Sequence, residues 1–280
     1  MKLLICVAFH FKKERLIYLK KILESHQFLA EFTEVKILTN TTDSYELKLI
    51  QDILPSCTLN FTIEIISFVN LYHPWVLTWA HKSVMAKYIV NDSFTHFMYT
   101  EDDLEVTPQN IKHWIANREI LRETGLYPSF LRVEWNEYLR AWTSTDLTNK
   151  VKIEDSPRVT LGNKAYEYLN LPNPYQAMFF YDKELMLEHF NSYTYDVNSY
   201  GQIEKIKLNE AWGGGVAERA NYALTFEKVP HGFTSRNVVQ YSSKYNLFNY
   251  DSFVHHLPNN YANQMPGLLH GKYPVNNILE

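Results

Sequence analysis

The sequence predicts an α/β fold whose central sheet is mostly parallel and flanked by helices. Apolar runs typical of strands alternate with helical periodicity over the first hundred residues, and this alternation indicates a parallel sheet with right-handed crossovers. Apolar residues make up 46% of the 280 positions, which is enough for a substantial core. No apolar run approaches the length that spans a membrane. We therefore expect one compact domain over residues 1–280.

Residue types and their spacing indicate where each strand and helix begins and ends. Strand-like runs are rich in β-branched and aromatic residues, while Leu16, Leu19, Ile22 and Leu23 recur at helical spacing. Pro74 and Pro108 suit the first turn of a helix, and Pro55 stops the helix before it. The predicted strands are 3–10, 35–40, 61–69, 95–100, 129–135, the start of 175–190, and 225–230. The predicted helices are 12–26, 45–54, 74–90, 108–121 and the end of 175–190.

The second half of the chain is less regular by pattern. Residues 143–165 are polar and loop-like, and residues 231–280 combine little periodicity with many Asn, Pro and Tyr. The sequence contains no evident repeat, low-complexity tract or linker.

The overall charge and the cysteine count exclude several classes of protein. The formal net charge of −4 argues against a surface that coats nucleic acid. Two cysteines, Cys6 and Cys57, are too few for a disulfide framework and suit a reducing compartment. The N-terminal apolar run is only seven residues, Leu3 to Phe9, and is followed by basic residues, so we read it as a buried strand and not as a signal peptide.

Three consecutive acids follow the fourth predicted strand. In FMYTEDDLEV, the apolar strand runs directly into Glu101, Asp102 and Asp103. Ligands of parallel α/β sheets bind beyond the carboxyl ends of the strands, and carboxylates there suit a hard cation such as Mg²⁺ or Mn²⁺. Such a cation could hold a diphosphate. The alternative is a solvated strand-to-helix loop.

This arrangement resembles the GT-A glycosyltransferases, with a family-2-like layout and EDD as a D-x-D-type motif. The resemblance implies a Rossmann-like GT-A domain, with residues 1–106 binding the nucleotide sugar and residues 107–280 binding the acceptor and closing the site. It further implies a Mn²⁺ or Mg²⁺ cofactor held by Asp103, with Asp102 or Glu101 near ribose or sugar hydroxyls. The expected reaction moves a hexosyl or N-acetylhexosaminyl group from a nucleoside-diphosphate sugar to a glycan or other hydroxyl acceptor. A UDP-sugar is the leading candidate for the donor.

The resemblance also implies a catalytic base within LNEAWGGGVAERANYALTFEKVP. Glu210 stands where many inverting members carry an acid, and its carboxylate would take the acceptor's proton. Glu218, which follows WGGG, is the rival, and either acid could instead serve only the helix dipole. Trp212 would stack on the acceptor sugar, and Gly213 and Gly214 would let that sugar approach the backbone.

A late histidine is expected to complete the metal shell. His255 and His256 face opposite sides of a strand, so only one can reach the metal; we choose His256, with His255 as the alternative. His231 is a lesser candidate.

Basic and polar side chains should bind the donor. Lys82 and Arg236 are candidates for the diphosphate. His10, Asn40 and Thr41 follow strands one and two, where the fold holds the base.

Two alternative functions remain open from the sequence. A nucleotidyltransferase shares the sheet and the acids but usually has a glycine-rich loop after its first strand, where this chain reads AFHFKKER. A non-catalytic carbohydrate-binding protein would keep the aromatic residues without needing the acids and the base. For the enzyme we expect a location in the cytoplasm or in peripheral contact with the inner face of the membrane. The expected acceptor is a lipid-linked or free glycan, and no nucleic-acid partner is expected. By analogy, the enzyme would act in bacterial polysaccharide biosynthesis.

Overall fold

The chain forms two compact units in the computed structural model, which describes residues 1–71, 73–90, 93–196, 215–263 and 270–280. The first unit contains residues 1–104 and 177–224, and the second contains residues 105–176 and 225–280. Residues 177–224 thus group with the first unit, although the sequence assigns them to the second half. The single-domain reading stays a prediction.

The described strands and helices have the following bounds. The strands are β1 Lys2–Phe9, β2 Phe32–Thr39, β3 Phe61–Ser67, β4 His96–Glu101, β5 Leu104–Glu105, β6 Tyr127–Pro128, β7 Leu131–Asn136, β8 Ala141–Ser144, β9 Arg158–Leu161, β10 Tyr166–Leu169, β11 Met178–Asp182, β12 Asn237–Ser242, β13 Leu247–Phe248 and β14 Phe253–His256. The helices are α1 Leu16–His26, α2 Ser44–Asp52, α3 Ala80–Ile89, α4 Pro108–Leu121, α5 Lys183–Phe190, α6 Val216–Tyr222 and α7 Asn260–Asn263.

The first unit is built on a five-stranded sheet in the order β11-β4-β1-β2-β3. Strands β1 to β4 are mutually parallel, and β11 runs antiparallel beside β4. Residues 3–9 of β1 are buried, as expected for a central strand covered on both faces. Helix α3 packs on β1 and helix α5 packs on β4 and β11, and the two helices contact each other. The predicted α/β class with a mixed, mostly parallel sheet is confirmed.

The carboxyl ends of β1, β2 and β4 meet at one edge of this sheet. Ala8 pairs with Glu101 on one side and with Leu38 on the other. The segments that follow these strands, including the acids after β4, therefore lie side by side at that edge.

The second unit contains a mostly antiparallel sheet and a mixed sheet, in which β7 pairs in parallel with β14 and antiparallel with β8. Strands β13-β12-β10-β9 form one, with β6 pairing in parallel with β12, and β14-β7-β8 lie in that order in the other. Helix α4 begins at a capping box between Thr107 and Asn110. The Asn110 amide also donates to the carbonyls of Asp251 and Phe253, which ties the start of α4 to the segment that leads into β14.

Several sequence expectations about these elements were wrong. TFEKVP is a turn and not a strand, because positive φ angles at Lys228 and at Ala223, just before this run, break the extended path. The predicted helix at 74–90 opens as a 3-10 turn over Pro74–Trp79 before α3 begins. Strands β9, β12, β13 and β14 occupy stretches in which the sequence showed little periodicity.

Among the helices in the described ranges, none combines the length and apolarity needed to cross a bilayer.

Candidate functional site

The acidic turn that follows β4 is buried at the carboxyl edge of the first unit's sheet. Glu101 ends β4, and Asp102 and Asp103 form the turn after it. Asp102 is 4% exposed and Asp103 is 3% exposed. Buried carboxylates need charged or hydrogen-bonding partners, so this turn is not the solvated loop that the sequence left as an alternative.

Arg15 supplies the positive charge for the two aspartates. Its Nε donates to Asp102 Oδ2 at 2.8 Å, and its Nη2 donates to Asp102 Oδ1 at 2.5 Å and to Asp103 Oδ2 at 2.8 Å. Arg15 lies in the 3-10 turn Lys13–Arg15, which follows β1 and leads into α1. A guanidinium that grips one carboxylate with two donors is a strong and directional partner.

Burial changes the protonation of Asp102. Loss of solvent raises the pKa of Asp102 to about 7, although the hydrogen bonds from Arg15 act to lower it, and the charge of Asp103 adds to the rise. The same carboxylates raise the pKa of Arg15, which keeps its charge at any ordinary pH. Burial thus favours the protonated form of Asp102, whereas the guanidinium of Arg15 favours the ionised form.

The ends of β1 and β2 carry the residues expected at the base of the nucleotide. His10 follows β1, and burial together with Lys12 and Arg15 lowers the pKa of its ring. Asn40 follows β2, and its Oδ1 accepts a hydrogen bond of 2.7 Å from the backbone N–H of Phe11, which joins the two strand ends. Thr41 is buried, and its hydroxyl oxygen accepts from the N–H of Asp43. Their donor-binding role stays a prediction.

Helix α6 approaches the acidic turn within the first unit. Asn221 Nδ2 donates to Glu101 Oε1 at 3.0 Å. The start of α6 is held by Trp79, whose indole N–H donates to the carbonyl of Val216 at 2.8 Å. Glu218, the rival base, stands on this helix one turn before Asn221, so its carboxylate shares the helix that contacts Glu101.

The carboxylate of Glu218 folds back over the first turn of its own helix. A Cβ at Gly215 would lie only 2.7 Å from Glu218 Oε2, so the absence of a side chain at Gly215 makes room for the carboxylate. An acid in the first turn of a helix also favours the helix dipole. A structural role thus accounts for the observed position of Glu218, and its role as a base stays a prediction.

Lys82 is 1% exposed on α3 in the first unit. Its ammonium donates to the carbonyl of Thr194 and lies 3.7 Å from the centre of the Trp79 ring. A diphosphate could meet this ammonium only if the side chain left its buried position. The donor-binding assignment of Lys82 stays a prediction.

In the second unit, His255 and His256 point to opposite faces of β14, as expected. His256 is buried and its Nδ1 lies 2.5 Å from Oε1 of the fully buried Glu134 on β7. His255 instead contacts Asn259 Oδ1 through Nε2 at 2.9 Å and Glu105 through Nδ1 at 3.6 Å. A carboxylate that holds one ring nitrogen is the usual support of a histidine that binds a metal or moves a proton through the other. The two histidines thus differ in their partners, and the metal-binding role of His256, with His255 as the alternative, stays a prediction.

Arg236 and His231 also belong to the second unit. Arg236 is 6% exposed, donates from Nε to the carbonyl of Gly125 at 2.7 Å and lies over the ring of Tyr127. These contacts give it a structural task, and its donor-binding role stays a prediction. His231 is exposed in a turn.

Four of the predicted residues lie outside the described residues: Glu210, Trp212, Gly213 and Gly214. Their predicted roles as base and acceptor contacts are unchanged by the structure.

Sequence reasoning missed two residues of these clusters. Arg15 sits in the basic run KKER directly after a buried strand, and the parallel order of β1 and β4 could have paired it with the acids. Glu134 lies between the apolar residues Val133 and Trp135 in a predicted strand, and a charged residue that such a strand buries needs a partner.

The acidic turn has suitable chemistry for a divalent cation, although it has few ligands. Within the described residues, no group of three or more His, Cys, Asp or Glu side chains is arranged to hold a metal. Mg²⁺, however, is commonly held by one or two carboxylates together with substrate phosphates and water. Asp102 and Asp103 provide two such carboxylates, and the positively charged guanidinium of Arg15 lies between them and donates to both. The residues present therefore fit a donor-dependent cation site.

Solved structures with a similar fold include a bacterial protein of much greater length. The crystal structure of TarS from S. aureus matches with a TM-score of 0.35 and 12% identity. The match covers 68% of this chain and 30% of the TarS chain, so this chain spans less than a third of that structure's length. No protein-family model and no curated protein matches the chain. A likeness this low leaves the reaction to be argued from the chain's own residues.

Proposed function

We propose that this protein transfers a sugar from a nucleoside-diphosphate sugar to a hydroxyl group of a glycan or similar acceptor. The observation that carries the proposal is the buried turn of Glu101, Asp102 and Asp103 at the carboxyl edge of a parallel sheet, with Arg15 bound across the aspartates. This edge is where ligands of such sheets bind. Paired carboxylates beside a cationic side chain suit a ligand with a diphosphate and hydroxyl groups.

The chain's own residues would divide the work at this edge. Asp103 would hold a divalent cation, which when bound neutralises charge on the departing diphosphate. Asp102, expected from the sequence near ribose or sugar hydroxyls, is bridged to Asp103 by Arg15 and is proposed here as a second ligand of the cation. Glu101, which is held by Asn221, would accept hydrogen bonds from ribose or sugar hydroxyls. His10, Asn40 and Thr41 would line the end of the site that takes the base, with UDP as the leading candidate for the nucleotide.

The proposed reaction is a single displacement with inversion. The acceptor oxygen bonds to the anomeric carbon as the bond from that carbon to the diphosphate oxygen breaks, and a carboxylate takes the acceptor's proton. Glu210 is the proposed base and Glu218 the alternative. Trp212, Gly213 and Gly214 are the proposed acceptor contacts.

Three further assignments are proposals by analogy alone. The transferred group is a hexosyl or N-acetylhexosaminyl unit, the acceptor is a free or lipid-linked glycan in polysaccharide biosynthesis, and the enzyme works in the cytoplasm, with peripheral contact to the membrane in the lipid-linked case.

A donor screen tests the proposal directly. The protein is mixed with UDP-, GDP- and dTDP-sugars in Mn²⁺ or in EDTA, and its melting temperature is recorded, because a ligand that binds the folded state raises it. Donors that bind are then incubated without acceptor, and the released nucleotide is identified. A shift with at least one nucleotide sugar, followed by slow release of the nucleoside diphosphate, supports the proposal. The absence of any shift in the whole series would contradict it.

The released product also separates the alternatives. A glycosyltransferase releases a nucleoside diphosphate, whereas a nucleotidyltransferase, supplied with a sugar phosphate and a nucleoside triphosphate, releases pyrophosphate. A carbohydrate-binding protein would bind glycans and leave nucleotide sugars intact.

A further inference from the structure

We propose that Arg15 couples the divalent cation to the donor. In the free protein its guanidinium is hydrogen-bonded to Asp102 and Asp103, and when a cation takes its place at these carboxylates the guanidinium turns to the donor's diphosphate. Arg15 is thus a positioning residue of the donor site. The inference rests on the proposed function and adds to it the residue that makes cation and donor bind together.

The contacts of the guanidinium carry the first step. An arginine side chain has five N–H donors in a fixed planar fork. In Arg15 the Nε–H and the two Nη2–H groups face the carboxylates, and three of the four carboxylate oxygens of Asp102 and Asp103 accept from them. A cation that bound these same oxygens would meet the guanidinium at close range, so the two charges compete for one site.

The second step is the freedom of the arginine to leave. The Arg15 side chain is 29% exposed, whereas those of Asp102 and Asp103 are each 5% exposed. No residue of the turn Lys13–Arg15 is buried, and neither Nη1 N–H is bonded to a residue that the structure describes. The side chain can therefore rotate outward while the buried carboxylates stay in place.

The third step is the balance of charge. One guanidinium against two carboxylates leaves the turn formally negative, which repels a diphosphate. A divalent cation would neutralise the two carboxylates and release the guanidinium, whose planar fork suits phosphate oxygens. The exchange turns a site that repels the donor into one that attracts it.

This exchange predicts a measurable coupling. Because the cation alone must break the Arg15 contacts, it binds weakly to the free protein. A diphosphate gives the released guanidinium a new partner, so the cation should bind more tightly when the diphosphate is present. Coupling between two ligands is reciprocal, and typical factors are roughly 5- to 150-fold.

Titration of Mn²⁺ with and without UDP tests the coupling. Calorimetry is done on the full chain as wild type, Arg15→Met, Arg15→Lys and Lys13→Met, the last being a control that removes an exposed cation from the same turn. We expect wild type and Lys13→Met to bind Mn²⁺ at least about tenfold more tightly with UDP than without it. Arg15→Met should bind Mn²⁺ alone more tightly than wild type, yet bind UDP more weakly and lose the coupling. Arg15→Lys should show reduced coupling, because an ammonium does not reproduce the two-donor grip.

The outcomes that overturn the inference are distinct. Equal Mn²⁺ affinity with and without UDP in wild type would refute it. This result is obtained on wild type alone and does not depend on whether a variant folds. Unchanged Mn²⁺ affinity and coupling in a folded Arg15→Met, checked by thermal unfolding, would also refute it while leaving the proposed function intact. If neither UDP nor the other nucleoside diphosphates bind in Mn²⁺, both the proposed function and the coupling fall.

Discussion

Buried His26 should lower the free energy of unfolding of the first unit at acidic pH. This residue ends α1, is fully buried, and has no hydrogen-bond partner on either ring nitrogen among the described residues. Burial lowers the pKa of His26 from 6.5 to about 3. The folded state therefore holds a neutral ring at a pH at which the unfolded chain would bind a proton.

The sign and size of the effect follow from linkage. A base whose pKa is lowered by folding contributes its full stability above pH 6.5 and loses it as the pH falls toward 3. At pH 5 the unfolded ring is almost fully protonated and the folded ring almost fully neutral, whereas at pH 7 both are mostly neutral. The free energy of unfolding should then fall by about 2 kcal/mol from His26 alone, at 1.36 kcal/mol for each pKa unit. Buried His81, whose pKa is likewise lowered to about 3, adds its own share.

The variant His26→Leu removes this share and keeps an apolar side chain of similar volume. Urea unfolding at pH 7 and pH 5, followed by tryptophan fluorescence, should show that His26→Leu loses about 2 kcal/mol less stability than wild type over this range. The control is His231→Leu, which removes an exposed histidine in place of a buried one. Parallel pH profiles for wild type and His26→Leu would refute the reasoning.

Three further predictions concern the proposed reaction. Asp103→Asn removes an anionic ligand, so calorimetry in Mn²⁺ should show greatly weakened nucleoside-diphosphate binding, and unchanged affinity would remove Asp103 from the cation site. His256→Ala should lower the transfer rate more than His255→Ala, because buried Glu134 orients the His256 ring. The reverse order of rates would assign the role to His255. Full activity in both variants would contradict a role for either histidine of β14. Glu210→Gln should lower the transfer rate by roughly 10²- to 10⁴-fold with little change in donor binding, whereas Glu218→Gln should be mild. A near wild-type rate for Glu210→Gln would move the base elsewhere, and NMR of the product's anomeric configuration would then decide between inversion and retention.

The regular elements of the first unit could be predicted because their patterns are strong. The buried run of β1 and the helical spacing of Leu16, Leu19, Ile22 and Leu23 are local signals, and the structure follows them closely. The turn at 225–230 could not be predicted, because nothing in the local composition reveals the positive φ angles at Ala223 and Lys228. The short strands of the second unit depend on partners distant in sequence, such as β10 on β12, and short strands carry weak local signals.

The candidate site divides in the same way. The position of the acids at the end of β4 follows from the sheet pattern, and so does the opposition of His255 and His256. The partners of these side chains are long-range: Arg15 reaches Asp102 across 87 residues, and Glu134 reaches His256 across 122. Such pairs depend on which strands become neighbours, and a single sequence does not state this order.

The first unit is built from two separate stretches of the chain, residues 1–104 and 177–224. Its sheet can therefore be completed only after the second stretch has been synthesised. β11 pairs along β4 from His96 to Thr100, yet it lies more than seventy residues later, after residues 105–176 of the second unit. During synthesis β4 must therefore wait, with one edge of backbone N–H and C=O groups unpaired, until residue 182 has emerged. Unpaired edges of this kind recruit other strands. A fragment that ends at residue 106 would keep the acids and Arg15 but leave that edge open permanently, and we expect it to aggregate where the full chain stays dispersed.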